Sequence, residues 1–292
     1  MTANNTKWFY LVFLAIVWGS SFILIKKSLL GLTPLQLGSL RIIISGLALF
    51  LAGFYSIRSI ERKHWKWLII SGFIGTGFPA FLFAFAETEI DSAIAAVLNS
   101  LTPLNTILFG FAIFKIASTR RQVLGVIIGF IGTAILIASG ADLNPDQNYL
   151  YAGFVIMSTL MYAINVNIIK RYLQHVRPIA IAVGNFIPII LPALVVLIST
   201  GFFNSESLHS DRLGLSLFYV TLLSVFGTAL AKVLFNKLIQ ISSPVFASSV
   251  TYLMPIVSVI WGLLDGELFS PIQVLATAII LLGVYLANRR KA

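Results

Sequence analysis

Two cations lie inside long uncharged stretches of this sequence, where each could bind an anionic group. Lys232 stands within the segment ALAKVLFNKL, and Arg41 follows an uncharged stretch that begins at Pro34. Thr228 and Asn236 each lie four residues from Lys232, a spacing that places the three side chains on one face of a helix. Such a polar stripe suits the wall of an internal cavity. There the ammonium would attract a carboxylate or a phosphate group.

Each cation also has a structural interpretation. The Lys232 stem could extend along apolar surface and carry its ammonium to the lipid headgroups, and Arg41 could hydrogen-bond the ends of neighbouring helices. A charged side chain within a membrane-spanning helix is costly and usually faces the interior of the bundle. We therefore expect Lys232 to face a cavity, while both interpretations of Arg41 stay open.

Uncharged polar and aromatic side chains complete the set of candidate binding residues. Pro103 and Pro255, in two apolar segments rich in Asn, Ser and Thr, would each free a backbone carbonyl. Hydrogen bonding between helices and simple packing are the competing roles of these side chains. The candidate substrate-binding residues are Trp18, Arg41, Asn99, Thr102, Tyr162, Asn165, Lys232, Asn236, Thr251 and Tyr252.

No pattern in the sequence indicates catalysis. His64, His175 and His209 are far apart, no metal-ligating, nucleophile or nucleotide-binding motif occurs, and the chain has no cysteine. We therefore expect neither an enzyme nor a cofactor or metal. The acidic residues stand near the ends of the uncharged segments, so we also expect transport without a proton or sodium carrier.

The elements that must position these residues follow from composition. The chain has 292 residues, of which 58% are hydrophobic and 10% charged, whereas soluble domains carry about 25% charged residues. Its mean hydropathy is +0.96. These values predict a polytopic membrane protein whose first partner is the lipid bilayer.

Ten apolar segments are each long enough, or nearly so, to cross about 30 Å of hydrocarbon as a helix. Their continuous hydrophobicity excludes the alternation typical of a membrane β-barrel. The first segment lacks a signal-peptide cleavage site and is kept as a helix. The fold class predicted is all-α with ten transmembrane helices, at 8–27, 34–56, 66–86, 92–113, 121–140, 149–170, 178–200, 213–236, 243–264 and 271–288.

The basic residues are distributed unevenly between the two sides of this topology. Fifteen of the 20 lysines and arginines fall on the side of the N-terminus, three on the opposite side and two within helices. Because cytoplasmic loops collect Lys and Arg, we expect both termini in the cytoplasm. The same rule explains the net charge of +10 without a nucleic-acid partner.

The two halves of the chain resemble each other weakly but in order. Trp18 matches Tyr162 at an offset of 144 residues, and Gly75-Thr76 matches Gly227-Thr228 at an offset of 152. Five helices per half require the halves to cross the membrane in opposite senses, an arrangement typical of secondary transporters. We predict one repeat at 1–140, a linker at 141–148 and a second repeat at 149–292.

Several short motifs occur in order along the chain: Trp18-Gly19-Ser20-Ser21-Phe22, Leu40-Arg41, Phe226-Gly227-Thr228-Ala229-Leu230-Ala231, Thr251-Tyr252-Leu253-Met254-Pro255 and Gly266-Glu267. They resemble those of a known family, the EamA-type permeases of the drug/metabolite transporter superfamily, and the resemblance covers nearly the whole chain. This resemblance implies ten helices around a central cavity, and export or exchange of small metabolites such as amino acids. Lys115 and Lys232 depart from the family pattern, which usually has a glutamate and an aromatic residue there.

These observations together predict a multi-pass protein of the cell membrane, the inner membrane in a bacterium. Its expected partner is a small-molecule substrate, namely amino acids or related zwitterions and anions, moved by alternating access through a central cavity. The oligomeric state stays open. A lipid-headgroup flippase and a membrane protein with a purely structural role are the alternatives.

Overall fold

The computed structural model describes residues 3–114, 120–143, 147–204 and 211–288, and the regular structure in these ranges is helical. Short 3₁₀ segments cover Phe54–Ser59, Tyr149–Tyr151 and Ser249–Tyr252. The helices are α1 (Ala3–Ser28), α2 (Pro34–Gly53), α3 (Arg62–Gly72), α4 (Phe78–Ala86), α5 (Ser92–Asn99), α6 (Thr102–Phe114), α7 (Arg120–Leu143), α8 (Ala152–Tyr172), α9 (Pro178–Ser199), α10 (Leu213–Leu222), α11 (Ala231–Ile241), α12 (Pro244–Ser248), α13 (Met254–Leu264) and α14 (Pro271–Asn288).

Within the described residues, eight helical stretches are long and apolar enough to span a membrane. The prediction of an all-helical, multi-pass membrane protein is confirmed. The two other predicted spans coincide with α7 and α14, whose apolar parts, Val123–Ser139 and Pro271–Gly283, are shorter. The eight stretches are Thr6–Ser28, Pro34–Ser59, Arg62–Ala86, Ser92–Ile113, Tyr149–Tyr172, Pro178–Ser199, Leu213–Ile241 and Pro244–Leu264.

Four of the predicted spans are interrupted near their middles rather than regular. A π-helical turn, Phe73–Gly77, joins α3 to α4, and a second, Leu223–Leu230, joins α10 to α11. Two others break just before a proline, between α5 and α6 ahead of Pro103 and between α12 and α13 ahead of Pro255. Because proline cannot donate a backbone hydrogen bond, these breaks leave backbone carbonyls available to side chains.

Helices from the two halves of the chain pack against each other. The pair α2 and α9 is one such contact, and α7 and α14 form another. A Cβ on Gly283 would lie 2.6 Å from the Gly129 backbone nitrogen and 2.6 Å from the Gly125 carbonyl oxygen. Glycine therefore lets the backbones of α7 and α14 approach closely, as small residues do in membrane helix pairs.

Some predictions fall on residues outside the described ranges. These are the departure at Lys115, part of the linker at 144–146, and the basic C-terminal residues Arg289, Arg290 and Lys291.

Candidate functional site

A cavity of about 100 Å³ lies between the two halves, where the interrupted helices meet. Eight of the ten predicted binding residues line it: Trp18, Arg41, Asn99, Thr102, Tyr162, Asn165, Lys232 and Thr251. The rest of the wall is formed by Ser21, Phe22, Ile25, Gly75, Thr76, Ala80, Phe83, Val166, Gly227, Thr228, Phe235, Ser248 and Met254.

The Lys232 ammonium is held inside the protein by the other half of the chain. Only 7% of the residue is exposed, and Nζ donates to the Gly75 carbonyl oxygen at 2.7 Å and to Thr76 Oγ1 at 2.8 Å. Pro79 lies four residues after Gly75 and has no N–H to bond that carbonyl. Lys232 thus satisfies a group that the proline leaves free, and its ammonium does not extend to the headgroups. One of its three N–H groups remains for a ligand.

Arg41 makes the reciprocal contact, from the first half to the second. Its Nε donates to Thr228 Oγ1 at 2.8 Å, and Trp18 Nε1 donates to the adjacent Gly227 carbonyl oxygen at 2.8 Å. The two terminal NH₂ groups of Arg41 make no hydrogen bond to any described residue. A planar guanidinium with free terminal donors is suited to bind a carboxylate in a bidentate manner.

Aromatic rings cover much of the remaining wall. Trp18 packs edge-on against Phe235 with ring centroids 4.8 Å apart, and Phe83 lies between Phe22 at 5.7 Å and Tyr162 at 6.2 Å. These rings offer apolar surface to the body of a ligand beside the two cations. Trp18 and Tyr162, which match in the sequence repeat, both reach this wall.

The uncharged polar residues of the wall mostly bond within their own segments. Thr102 Oγ1 donates to the Asn99 carbonyl oxygen at 2.8 Å, and Thr251 Oγ1 donates to the Ser248 carbonyl oxygen at 3.0 Å. Asn165 Oδ1 accepts from Ser71 Oγ at 2.6 Å. These bonds satisfy the broken helices and fix the orientation of the side chains that face the cavity.

Two predicted binding residues do not line the cavity. Asn236 is fully buried one helical turn beyond Lys232, and its Nδ2 donates to the Pro178 carbonyl oxygen at 3.3 Å. Tyr252 packs against the apolar core beside the cavity. The helical face shared with Lys232 therefore continues past the cavity into the contact between α9 and α11.

The two Gly-Thr pairs, Gly75-Thr76 and Gly227-Thr228, were not among the predicted binding residues. Both lie in the π-helical turns, and each accepts hydrogen bonds from the opposite half of the chain. The internal match between these pairs was the sequence signal that could have identified them.

An ion-pair cluster, consisting of Lys26, Lys27, Asp265 and Glu267, begins directly after the cavity-lining residue Ile25. Lys26 Nζ lies 3.1 Å from Asp265 Oδ2 and 2.9 Å from Glu267 Oε1, and Lys27 also pairs with Asp265. Burial acts to raise the pKa of Asp265, but hydrogen bonds from Lys27 and Lys26 outweigh it and hold that pKa below its ordinary value. Because its pKa is depressed, Asp265 is ionised at neutral pH and the pairs are lost only in acid.

A lysine at the matching position of the second half makes a different set of contacts. Lys170 corresponds to Lys26 at an offset of 144 residues, and its Nζ donates to the carbonyl oxygens of Ile239, Gln240 and Ser242 at 3.2, 3.3 and 2.7 Å. These carbonyls lie at the C-terminal end of α11, where a cation is favoured by the helix dipole. The matching lysines of the two halves therefore make different contacts, Lys26 with carboxylates and Lys170 with backbone carbonyls.

The charge of the wall is one-sided. Its described lining contains two cationic side chains and no carboxylate. In a site of low dielectric, an anionic ligand group would be attracted more strongly than in water. The arrangement can bind an anion beside an apolar body.

Comparison with known proteins places the whole chain in one family. The EamA-like transporter family matches twice, at residues 6–138 and 150–289. The inner membrane transporter YedA of Escherichia coli is 28% identical over 283 residues, which cover 95% of this chain and 89% of YedA.

More distant relatives carry similar names. A probable amino-acid metabolite efflux pump of Salmonella typhimurium is 24% identical over 95% of this chain and 93% of its own length, and a transporter of Archaeoglobus fulgidus is 24% identical over 98% and 99%. A solved crystal structure shares the fold with a TM-score of 0.66 at 19% identity, covering 95% of each chain. These relatives are named as transporters or efflux pumps, which points away from an enzymatic activity.

Proposed function

The chain belongs to the EamA-like transporter family of membrane transporters, and we propose that it carries small metabolites bearing a carboxylate across the membrane by alternating access. The substrate class comprises amino acids and related zwitterions or anions. Ten spanning helices in two inverted repeats, with both termini in the cytoplasm, form the proposed topology. It agrees with the two family matches and with the concentration of basic residues on one side.

The observation that carries this proposal is the pair of cavity cations with unused donors. The Arg41 terminal NH₂ groups and one Lys232 N–H are free of described protein partners, although both side chains are already anchored. A carboxylate placed between them would receive charge-assisted hydrogen bonds, which are stronger than those between neutral groups. The aromatic wall would then contact the rest of the substrate.

The contacts at the two ends of the cavity support alternating access. In the proposed mechanism the ion-pair cluster would close one end with side-chain ion pairs, and Lys170 would close the other with bonds to backbone carbonyls. Breaking one set at a time would expose the cavity to one side while the other set stays closed. Inverted repeats move in this way around a fixed site near the bilayer midplane.

The Salmonella relative is named for amino-acid metabolite efflux, and this supports the same substrate class and an outward direction here. Helix α11 would bring Lys232 close to the cytoplasmic half of the cavity. The ammonium would there meet anionic groups arriving from the cell interior.

Counterflow in proteoliposomes tests the proposal. Purified protein is reconstituted with radiolabelled amino acids, with the amines that lack their carboxylates, and with the organic acids that lack their amino groups. We expect exchange of carboxylate-bearing compounds above protein-free liposomes and none of the amines. Equal exchange of the amines, or movement of a labelled phospholipid headgroup alone, would overturn it.

A further inference from the structure

Glu87 is a buried carboxyl group to which the transport proposal gives no role. It follows α4 directly and is 7% exposed. Neither of its carboxyl oxygens makes a hydrogen bond of good geometry with a described residue, although the backbone N–H of Lys26 is near enough to act against the rise of its pKa. An ionised carboxylate in such a place is very unfavourable unless it is paired. Its neutral, protonated form avoids most of that cost.

The neighbouring acid, Glu267, shows what a satisfied carboxylate looks like at this place. It accepts from Lys26 Nζ at 2.9 Å, from Ser92 Oγ at 2.7 Å, and from the backbone nitrogens of Ser92 and Ala93 at 3.1 Å each. These donors stabilise its charge at the N-terminus of α5. Lys26 is committed to Glu267 and Asp265, so its ammonium does not pair with Glu87.

The charges around Glu87 come from three elements. Glu267 faces it from the segment after α13, Lys26 from α1 and Arg41 from α2, while α8 contributes the titratable Tyr162, which stacks on Phe83. Burial and then the Glu267 charge raise the pKa of Glu87 well above its usual range, while Arg41 and Lys26 act in the opposite direction. Burial without a hydrogen-bond partner and the neighbouring Glu267 charge therefore both favour the protonated form of this carboxyl.

Glu87 lies near both the cavity and that cluster, because Arg41 of the cavity wall and Lys26 and Glu267 of the cluster all act on its carboxyl group. Its backbone N–H bonds the Phe83 carbonyl oxygen at 3.0 Å, so it stands one helical turn beyond a residue of the cavity wall. Water entering through the cavity would approach it from one side, and water entering through an opened ion-pair cluster from the other. A group in this position can exchange a proton with either side of the membrane in turn.

We propose that Glu87 is a proton-binding site that couples transport to the movement of one proton. The proton stays on the carboxyl while the ion-pair cluster is closed. When the cluster opens, Lys26 leaves Asp265 and Glu267 and becomes the partner of Glu87. The O–H bond of the Glu87 carboxyl then breaks. Its electron pair stays on the carboxyl oxygen, and the proton passes to a water molecule. This inference rests on the proposed transport function and replaces the expectation of a carrier without a proton site.

Infrared spectroscopy of the full-length protein in liposomes tests the bound proton without any substrate. At neutral pH we expect the carbonyl stretch of one protonated carboxylic acid, which shifts when the protein carries ¹³C-carboxyl glutamate. The band should be lost in Glu87→Gln and kept in the matched variant Glu89→Gln, which removes a carboxyl two residues away. Absence of a glutamate band in the wild-type protein would overturn the proposal, and this result does not depend on whether any variant folds.

Cysteine accessibility tests the link to the ion-pair cluster. Ile90 is 3% exposed beside Glu87, and because the chain has no native cysteine, Ile90→Cys provides a single reporter of opening at this end. Because the pKa of Glu87 is raised in the closed state, proton binding stabilises that state. The equilibrium constant for opening therefore increases as the pH rises, by up to about tenfold per pH unit, until the pH passes the pKa of Glu87 in the closed state.

Labelling rates are divided by those of the unfolded protein at the same pH, which removes the titration of the thiol itself. We expect the corrected rate to rise with pH in the Ile90→Cys protein and to be slow and nearly constant when Glu87→Gln is added. The same slope in both proteins would refute the link to the cluster. If substrate exchange fails but the infrared band and this slope are present, the transport proposal fails and the proton site stands.

Discussion

Replacement of Lys232 by methionine removes the cavity ammonium while preserving the length of the side chain. The variant loses two hydrogen bonds, to Gly75 and Thr76. Hydrogen bonds between membrane helices contribute about 0.6 kcal/mol each on average, so the two together stabilise the fold by about 1 kcal/mol. Removal of a buried ammonium also removes its desolvation cost, which acts in the opposite direction. We therefore expect Lys232→Met to fold and to insert normally.

The effect on substrate binding should be much larger. Truncating one partner of a buried, hydrogen-bonded charge pair costs about 2–5 kcal/mol. At 1.4 kcal/mol per factor of ten, this weakens the binding of a carboxylate by about 30-fold to about 4,000-fold. Uncharged substrates would be affected far less, because they lose only a neutral hydrogen bond.

The assay is counterflow of the best carboxylate substrate, measured with binding affinity on the same preparations. Lys237→Met is the matched control, because Lys237 lies on the same helix with its side chain exposed. It should exchange substrate like the wild-type protein. Unchanged affinity for an identified carboxylate in Lys232→Met, with both variants folded, would show that the ammonium does not bind substrate.

Two further predictions concern the fold. Gly283→Ala should lower the thermal stability of the purified protein in detergent, because its Cβ would meet the backbone of Gly129. The control Gly153→Ala should leave the stability unchanged, because nothing lies within 4 Å of its added Cβ. Equal melting temperatures of the two variants would exclude the close backbone contact. The asymmetry of basic residues predicts that a reporter fused after residue 292 is cytoplasmic and one inserted near residue 144 is external, and opposite signals would refute the proposed inverted topology.

The helices themselves were largely predictable from the sequence. Long uncharged segments determine where a membrane helix can lie, and the described helices begin or end within a few residues of the predicted bounds at most positions. Pro103 and Pro255 indicate in the sequence where backbone carbonyls are freed, whereas the role of Pro79 beside Gly75 emerges only from the structure. The π-helical turns were not predicted, because their form depends on the packing of neighbouring helices and not on a local pattern.

The candidate site was predictable in its charges but not in its contacts. The helical spacing of Thr228 and Lys232 placed both on one face, and both line the cavity. Their partners, Arg41 and Gly75, come from distant parts of the chain, and no local spacing connects them. Glu87 was grouped with acids at helix ends, because the sequence shows how near a residue lies to a helix end but not how deeply it is buried.

The scaffold of the cavity is symmetric, but its charges are not. Gly75-Thr76 and Gly227-Thr228 are matched acceptors in matched π-helical turns, yet their donors differ: Lys232 contacts the first pair, while Arg41 and Trp18 contact the second. At an offset of 152 residues, the position equivalent to Lys232 in the first half is Ala80, which also lines the cavity but carries no charge.

A carboxylate entering the cavity would therefore meet cations that already hold the two halves together. Under the proposed mechanism, the substrate can shift the equilibrium between conformations only through a difference in its affinity for them. The contacts of Lys232 with Gly75 and of Arg41 with Thr228 supply such a difference in affinity. A conformation that breaks these contacts leaves both cations without protein partners, and a bound anion can then take the place of the lost partners. An anion thus stabilises the separated conformation more than the closed one, and an uncharged compound of the same shape does not.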